Sequence, residues 1–425
     1  MDVVLMLCYF FPPLGGGGVQ RSSKFAKFLP ANGWRPVIVA SQPNARNMIE
    51  HGLDRSLLAE VPREAVVKRC LSLEFSFLYA ALHRFRARRL LIALERMVPT
   101  LPTNYKIGWY PFALRAARGM LTPERKDVVY STSPPYSAHF VARRLQEEYG
   151  LPWVADFRDA WTQTAAYKAP TDWHARFERC LEARIVVHAD AVIANTPANR
   201  RAVIERFDVA ASKVHVIPNG FDPEDFAQPA GPPDGTHFVV ACLGNLYAMP
   251  ELDSFLRAFR RFADLYPEAR LKLFGWHARS VRNSLRTLLR EGTWQIAARV
   301  GHAQAIGAMR AAAVLLANVP GERATHWVPG KLYEYLAAER PILFIGPANG
   351  DAADVIRKTR AGRVALGDEG AILSALQEFH RHWRAGTREW RADREAIAEF
   401  DRRAQTQKLA RILDMARDGN GGKHH

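Results

Sequence analysis

Short, unbroken apolar runs alternate with longer amphipathic stretches along most of this chain. In the first half the runs are Val3–Cys8, Val37–Ala40, Asp127–Ser131, Trp153–Ala155, Ala191–Ala194 and Val214–Ile217. A strand buried on both faces needs no polar alternation, so such runs predict parallel strands. The amphipathic stretches between them predict helices on both faces of the sheet. Pro12-Pro13-Leu14-Gly15-Gly16-Gly17-Gly18 breaks the first run. After it, Val19, Phe25, Phe28 and Leu29 share one helical face and Gly33 marks the helix end.

The pattern restarts at Phe238–Gly244 and continues through Arg270–Phe274, Ala313–Ala317 and Pro341–Ile345, with a charged helical run from about Arg391 to Met415. Residues 222–236, rich in Pro, Gly and Asp, read as a linker. The expected organisation is therefore one α/β domain over 1–221, a linker over 222–236, a second α/β domain over 237–395, a closing helix over 396–415 and a tail over 416–425.

Composition changes this picture in one respect. Of the 425 residues, 48% are hydrophobic and 24% charged, as in ordinary globular domains, but the formal net charge is +16. Residues 1–221 carry 30 Lys and Arg against 19 Asp and Glu, so most of the excess lies in the first half. Lys68, Arg69, Arg84, Arg86, Arg88, Arg89 and Arg96 interleave with Phe75, Phe77, Tyr79 and Phe85, and Trp109, Tyr110 and Phe112 follow. A basic, aromatic stretch of this kind predicts peripheral contact with an anionic membrane surface; the alternative is a solvated, arginine-rich helix pair. No recognition motif for nucleic acid accompanies the charge. The four cysteines form no CxxC pair and predict a reducing, cytoplasmic setting, with neither a signal peptide nor a spanning helix.

Four segments carry candidate chemistry, each at a strand end or helix start. The Gly15–Gly18 loop lets backbone amides approach a ligand at a helix N-terminus, or is simply a tight turn. Ala155-Asp156-Phe157-Arg158-Asp159-Ala160-Trp161 follows a strand, where side chains of an open α/β sheet meet ligands; Asp156 or Asp159 could accept a hydroxyl proton, or an Asp–Arg pair could fix the loop. Ser131–His139 follows another strand and adds His139. In Val328-Pro329-Gly330-Lys331-Leu332-Tyr333-Glu334, Lys331 at a helix start suits a diphosphate and Glu334, one turn on, suits a ribose diol; a surface Lys–Glu pair is the plainer reading.

Three segments together resemble the bacterial group-one, family-four-like GT-B glycosyltransferases. They are Tyr9-Phe10-Phe11-Pro12-Pro13-Leu14-Gly15-Gly16-Gly17-Gly18-Val19-Gln20-Arg21, Val216-Ile217-Pro218-Asn219-Gly220-Phe221-Asp222 and Pro329–Ala338, in this order, in a likeness that runs to about residue 415. The Ser-Pro-Pro and Asp-Phe-Arg-Asp segments resemble the surface-polysaccharide and lipopolysaccharide branch. The resemblance implies two Rossmann-like domains with parallel sheets facing across a cleft, the first for acceptor and the second for donor, and a C-terminal helix crossing back to the first. It implies transfer from a UDP- or GDP-sugar to a lipid-linked or polysaccharide acceptor at the inner membrane face, with retention and with neither cofactor nor metal.

By the same resemblance Glu334 binds the ribose, Lys331 lies by the diphosphate, and Gly16, Gly17, Gly18, Gly330 and Leu332 line the donor. Asn245 and Pro250 stand where the family carries Arg and Lys, and His326 stands where it often carries a first Glu. Arg323, Arg158 and Lys331 are then the candidates to meet diphosphate charge. Asp156, Arg158, Asp159 and His139 are the catalytic candidates, and inversion with Asp156 or Asp159 as base stays open. A UDP-sugar epimerase-like enzyme and a catalytically silent binding protein are the alternatives.

Overall fold

The computed structural model describes residues 1–44, 47–48, 52–73, 104–122, 127–163, 167, 169, 171–227, 235–275, 277–298, 300–319, 321, 324–386 and 390–420. Contacts divide the chain into two compact units, Met1–Asn219 with Arg402–His425, and Gly220–Asp401. The division thus falls just before the expected linker, and Phe221 already packs in the core of the second unit.

The first unit is built on a sheet of β1 (Asp2–Leu7), β2 (Trp34–Ser41), β3 (Val66–Cys70), β4 (Val128–Ser133), β5 (Trp153–Phe157), β6 (Ala191–Ala194) and β7 (Val214–Val216). Its order is β3-β2-β1-β4-β5-β6-β7, and every pairing is parallel. Among the described helices, α1 (Gly17–Phe28), α2 (Tyr110–Arg118), α3 (Ser137–Tyr149), α4 (Asp172–His188) and α5 (Pro197–Phe207) lie between the strands. The continuous apolar run of β1 serves two cores at once. Val3, Leu5 and Leu7 enter one and Val4, Met6 and Cys8 the other, because successive side chains leave a strand on opposite faces. Gly33, with φ 84°, takes the left-handed position that ends the turn between α1 and β2, a conformation costly for any residue with a Cβ.

The second unit repeats the plan with β8 (Phe238–Leu243), β9 (Ala269–Phe274), β10 (Trp294–Ala297), β11 (Val314–Asn318), β12 (Ile342–Ile345) and β13 (Gly362–Ala365), in the order β10-β9-β8-β11-β12-β13 and all parallel. Its helices are α6 (Pro250–Leu265), α7 (Arg279–Leu288), α8 (His302–Ala311), α9 (Gly330–Ala337), α10 (Asp351–Thr359), α11 (Glu369–Arg384) and α12 (Arg394–Ala398). Along β8, Phe238, Val240 and Cys242 face one core while Val239, Ala241 and Leu243 face the other.

The expected charged run from Arg391 is two helices rather than one, broken at residues 399–401. The second of them, α13 (Arg402–Asn420), returns to the first unit. Leu409, Ile412, Leu413 and Ala416 recur at helical spacing and join Val4, Met6, Phe25 and Ile217 in one core. Gln405 Nε2 donates to the carbonyl of Asn219 at 3.0 Å, and Arg417 pairs with Asp2.

Most of the basic, aromatic stretch, residues 74–103, lies outside the described residues. Trp109, at its end, is a core side chain set edge-on to Tyr9 at 5.3 Å, not a surface aromatic. Among the described residues, no helix is long and apolar enough to cross a membrane.

The packing of α13 predicts that Leu413→Ala destabilises the first unit by about 2–5 kcal/mol. The exposed Leu366→Ala should stay within about 0.5 kcal/mol of wild type. Urea denaturation of the two variants makes the comparison, and equal midpoints would refute the docking of α13.

Candidate functional site

In a sheet whose strand order reverses, ligands settle beyond the carboxyl ends of the strands at the point of reversal. That point lies between β1 and β4 in the first unit and between β8 and β11 in the second.

At the first reversal, the turn into α1 has Gly16 at φ 101°, with Gly17 exposed and nothing within 4 Å of a Cβ built on it. A Cβ on Gly18 would instead lie 2.6 Å from the guanidinium of Arg158. Only glycine permits that approach. Arg158 donates from Nη1 to the Gly18 carbonyl at 2.5 Å and from Nη2 to the Pro134 carbonyl at 2.6 Å, with the Phe10 ring beneath it at 5.9 Å. Arg158 therefore ties the glycine turn to the loop after β4. Asp159, next in the chain, is exposed at the same rim.

Asp156 is not available as a base, which corrects the expectation from sequence. Its side chain is fully buried and receives two 2.8 Å hydrogen bonds from Arg21 Nε and Nη2, one from the Tyr130 hydroxyl and one from Thr132 Oγ1 at 3.1 Å. Burial works against its charge, but Arg21 and the hydroxyl donors outweigh burial and hold the carboxyl below its ordinary value. Arg21 also donates to the carbonyls of Ile217 and Pro218 at 3.0 and 2.9 Å, so one guanidinium joins α1, β5 and the segment after β7.

His139 is corrected in the same way. It is fully buried beneath the rim, its ring 4.7 Å from Phe157. Ser131 Oγ accepts from Trp153 Nε1 at 2.7 Å and meets His139 Nδ1 at 2.7 Å. With the hydroxyl donating to Nδ1, the ring proton sits on Nε2, which has no partner. Burial lowers this imidazole to about 3, so it stays neutral near pH 7 and takes up no second proton there.

At the second reversal the loop after β8 and the start of α9 come together. Lys331 Nζ donates to the Asn245 carbonyl at 2.7 Å and lies 3.3 Å from Cys242 Sγ. The Leu243 amide donates to the Tyr335 hydroxyl at 2.8 Å, pinning α9 to the end of β8. Asn318 brackets Tyr247, accepting from its amide at 3.2 Å and donating to its carbonyl at 2.9 Å, and Tyr247 sets its ring edge-on to Trp327 at 5.2 Å.

Pro329 is the N-cap of α9, and the helix has no side-chain cap and no acidic residue in its first turn. Gly330 there is exposed, with open space where a Cβ would stand. Uncapped amides beside an ammonium form an anion-binding arrangement. Asn245 and His326 are exposed at this rim. Leu332 is not: its side chain is a fully buried core residue, which removes it from the donor contacts expected of it. Arg323 lies outside the described residues.

Two histidines of this region were not singled out from sequence. His277, in the loop after β9, is 3% exposed with neither ring nitrogen hydrogen-bonded; burial, then Lys331 and Arg282, lower its pKa. His302 opens α8 with Nε2 at 3.1 Å from Asp225 and Nδ1 at 4.0 Å from Glu334. The His302–Glu334 approach spans 32 residues of sequence, and no local motif announces it.

Residues 15–225 match the family profile described as Glycosyltransferase Family 4. A search of curated proteins by sequence finds no match. Among solved structures the chain resembles sucrose-phosphate synthase from Thermosynechococcus elongatus, over 99% of this chain and 100% of that one, with TM-score 0.66 and 14% identity. It also resembles Anabaena HepE in complex with UDP-glucose, over 97% and 100%, with TM-score 0.61 and 15% identity. A mutant of S. aureus TarM in complex with fondaparinux, alpha-GlcNAc-glycerol and UDP matches over 97% and 100%, with TM-score 0.61 and 10% identity. At these identities the likeness is one of fold, and that fold is GT-B.

Two outcomes follow for the first unit. Arg21→Ala strands a buried carboxylate and should cost about 3–5 kcal/mol in urea denaturation; a loss no larger than that of an exposed Arg→Ala would contradict the pairing. His139 takes up its proton near 6.5 when unfolded but only at about 3 when folded. The unfolded state thus binds more protons in that window, and stability should fall as pH drops through it, by a few kcal/mol in all. His139→Gln should flatten this acid limb in melts at stepped pH, whereas an unchanged limb would show that another group governs it.

Proposed function

We propose that this chain, a glycosyltransferase by its family-four domain and its GT-B fold, moves a sugar from a nucleotide-diphosphate sugar to a lipid-linked or polysaccharide acceptor. The observation that carries the donor half of this reading is the start of α9. There an ammonium is pinned to a backbone carbonyl beside uncapped amides, at the reversal point of the second sheet, with a carboxylate one turn on.

The chemistry of that arrangement matches a nucleoside diphosphate. The Gly330 and Lys331 amides and the Lys331 ammonium take the diphosphate, and Glu334 accepts from the ribose diol. Developing charge on the leaving diphosphate is met by dipoles and cations already in place, which lowers the barrier to transfer. His277, buried with both ring nitrogens unsatisfied and held down in pKa by burial and the charge of Lys331, joins Asn245 and His326 as a donor contact in this reading. UDP is the favoured nucleotide, because HepE and TarM were solved with UDP-glucose and UDP.

In the first unit, Arg158 and the Gly16–Gly18 turn serve the reaction centre, and Asp159 is the carboxylate exposed there. Retention accords with the family-four match. The net charge of +16, concentrated in the first half, supports an acceptor carried at the anionic inner face of a membrane, as in surface-polysaccharide assembly.

Calorimetry with UDP tests the donor site. Glu334→Ala and Lys331→Ala should each weaken binding by about 10- to 100-fold, the loss expected for a hydrogen bond to a charged group. Wild-type affinity in both variants would place the nucleotide elsewhere.

A further inference from the structure

His302 stands between two carboxylates on two other elements. It is the first residue of α8; its Nε2 lies 3.1 Å from Asp225 Oδ2 and its Nδ1 4.0 Å from Glu334 Oε1. The three side chains are about one-fifth exposed, so the row is half sheltered and still open to solvent on one side.

The support behind the imidazole is firm. Asp225 belongs to a short turn, Pro223–Phe226, which Asp222 caps by accepting from the Glu224 amide at 3.0 Å. At the far end of α8, Arg310 donates to the Phe226 carbonyl and lies 5.5 Å over the Phe226 ring. The turn is thus clamped to both ends of α8, by Asp225 to His302 and by Phe226 to Arg310. An imidazole held at both its helix and its carboxylate has little freedom to rotate. The Asp225 carboxylate holds a proton on Nε2 and leaves Nδ1 facing Glu334, where a second ring proton, carried by the imidazolium, makes Nδ1–H a donor toward that carboxylate.

We propose that His302, oriented by Asp225, is a positioning residue that sets the Glu334 carboxylate for the nucleotide ribose. The proposal rests on the reading of Glu334 as the ribose ligand. At 4.0 Å the Glu334 oxygen is beyond hydrogen-bond range of Nδ1 but close enough for the ring to steer it. A carboxylate has lone pairs for both a diol and a neighbour, so Glu334 can accept from the ribose while one oxygen stays against the imidazole. His302 itself touches no reacting atom.

The test compares UDP with 2′,3′-dideoxy-UDP, which lacks the diol, by calorimetry on the full chain, with GDP and its dideoxy analogue in parallel. Wild type should prefer the diol-bearing nucleotide by about tenfold or more. His302→Ala should lose about that preference while binding the dideoxy nucleotide as wild type does. Asp225→Asn should lose part of it, and His302→Gln should restore part of what His302→Ala loses.

Retained dideoxy-nucleotide binding also reports that each variant is folded. If wild type fails to discriminate between the two nucleotides, the Glu334 reading fails and the positioning role with it. If wild type discriminates but His302→Ala weakens both nucleotides equally, or neither, Glu334 stands and the role of His302 is overturned.

Discussion

Parallel strands joined by helices can return only from the opposite edge, so every strand-to-helix loop emerges at one edge of its sheet. That constraint organises both units of this chain. In the first it delivers the Gly16–Gly18 turn, the loop after β4 and the Phe157–Asp159 segment to one rim. In the second it delivers the loop after β8 and the start of α9. Each rim still has to be held in shape by side chains. Arg158 bridges the glycine turn and the Pro134 carbonyl in one unit, and Lys331 and Tyr335 bridge α9 and β8 in the other.

The first rim shows how position decides chemistry between near neighbours. Asp156 ends inside the sheet with four hydrogen-bond donors, and its charge is spent on joining β5 to α1 through Arg21 and to β4 through Tyr130 and Thr132. Asp159, three residues on, has left the strand and is exposed. Two carboxylates that look equivalent as letters divide into a structural keystone and a group open to a ligand. His139 falls on the structural side for the same reason, since burial holds it neutral.

Much of the fold was legible in the sequence because strands buried on both faces are continuous apolar runs, as in β1, β8 and β11. Three strands were missed: β3 (Val66–Cys70), β10 (Trp294–Ala297) and β13 (Gly362–Ala365). All three are sheet edges, half exposed, where the apolar run is interrupted by Lys68, Arg69, Gln295 or Arg363. The segment around Lys331 and Glu334 was legible as a unit because both residues lie within about one helical turn. The Arg21–Asp156 pair spans 135 residues, and the His302–Glu334 approach joins two helices separated by a strand, so neither leaves a local mark. Leu332 was misread for a related reason. It shares the motif with Lys331, but its side chain leaves the helix toward the core.

The central claim is that the open start of α9 grips a nucleotide diphosphate. A crystal structure of the chain grown with UDP tests it most directly. The account predicts phosphate oxygens within hydrogen-bond distance of the Gly330 amide and Lys331 Nζ, with the ribose hydroxyls on the Glu334 carboxylate. Nucleotide density that leaves all three groups untouched would contradict it.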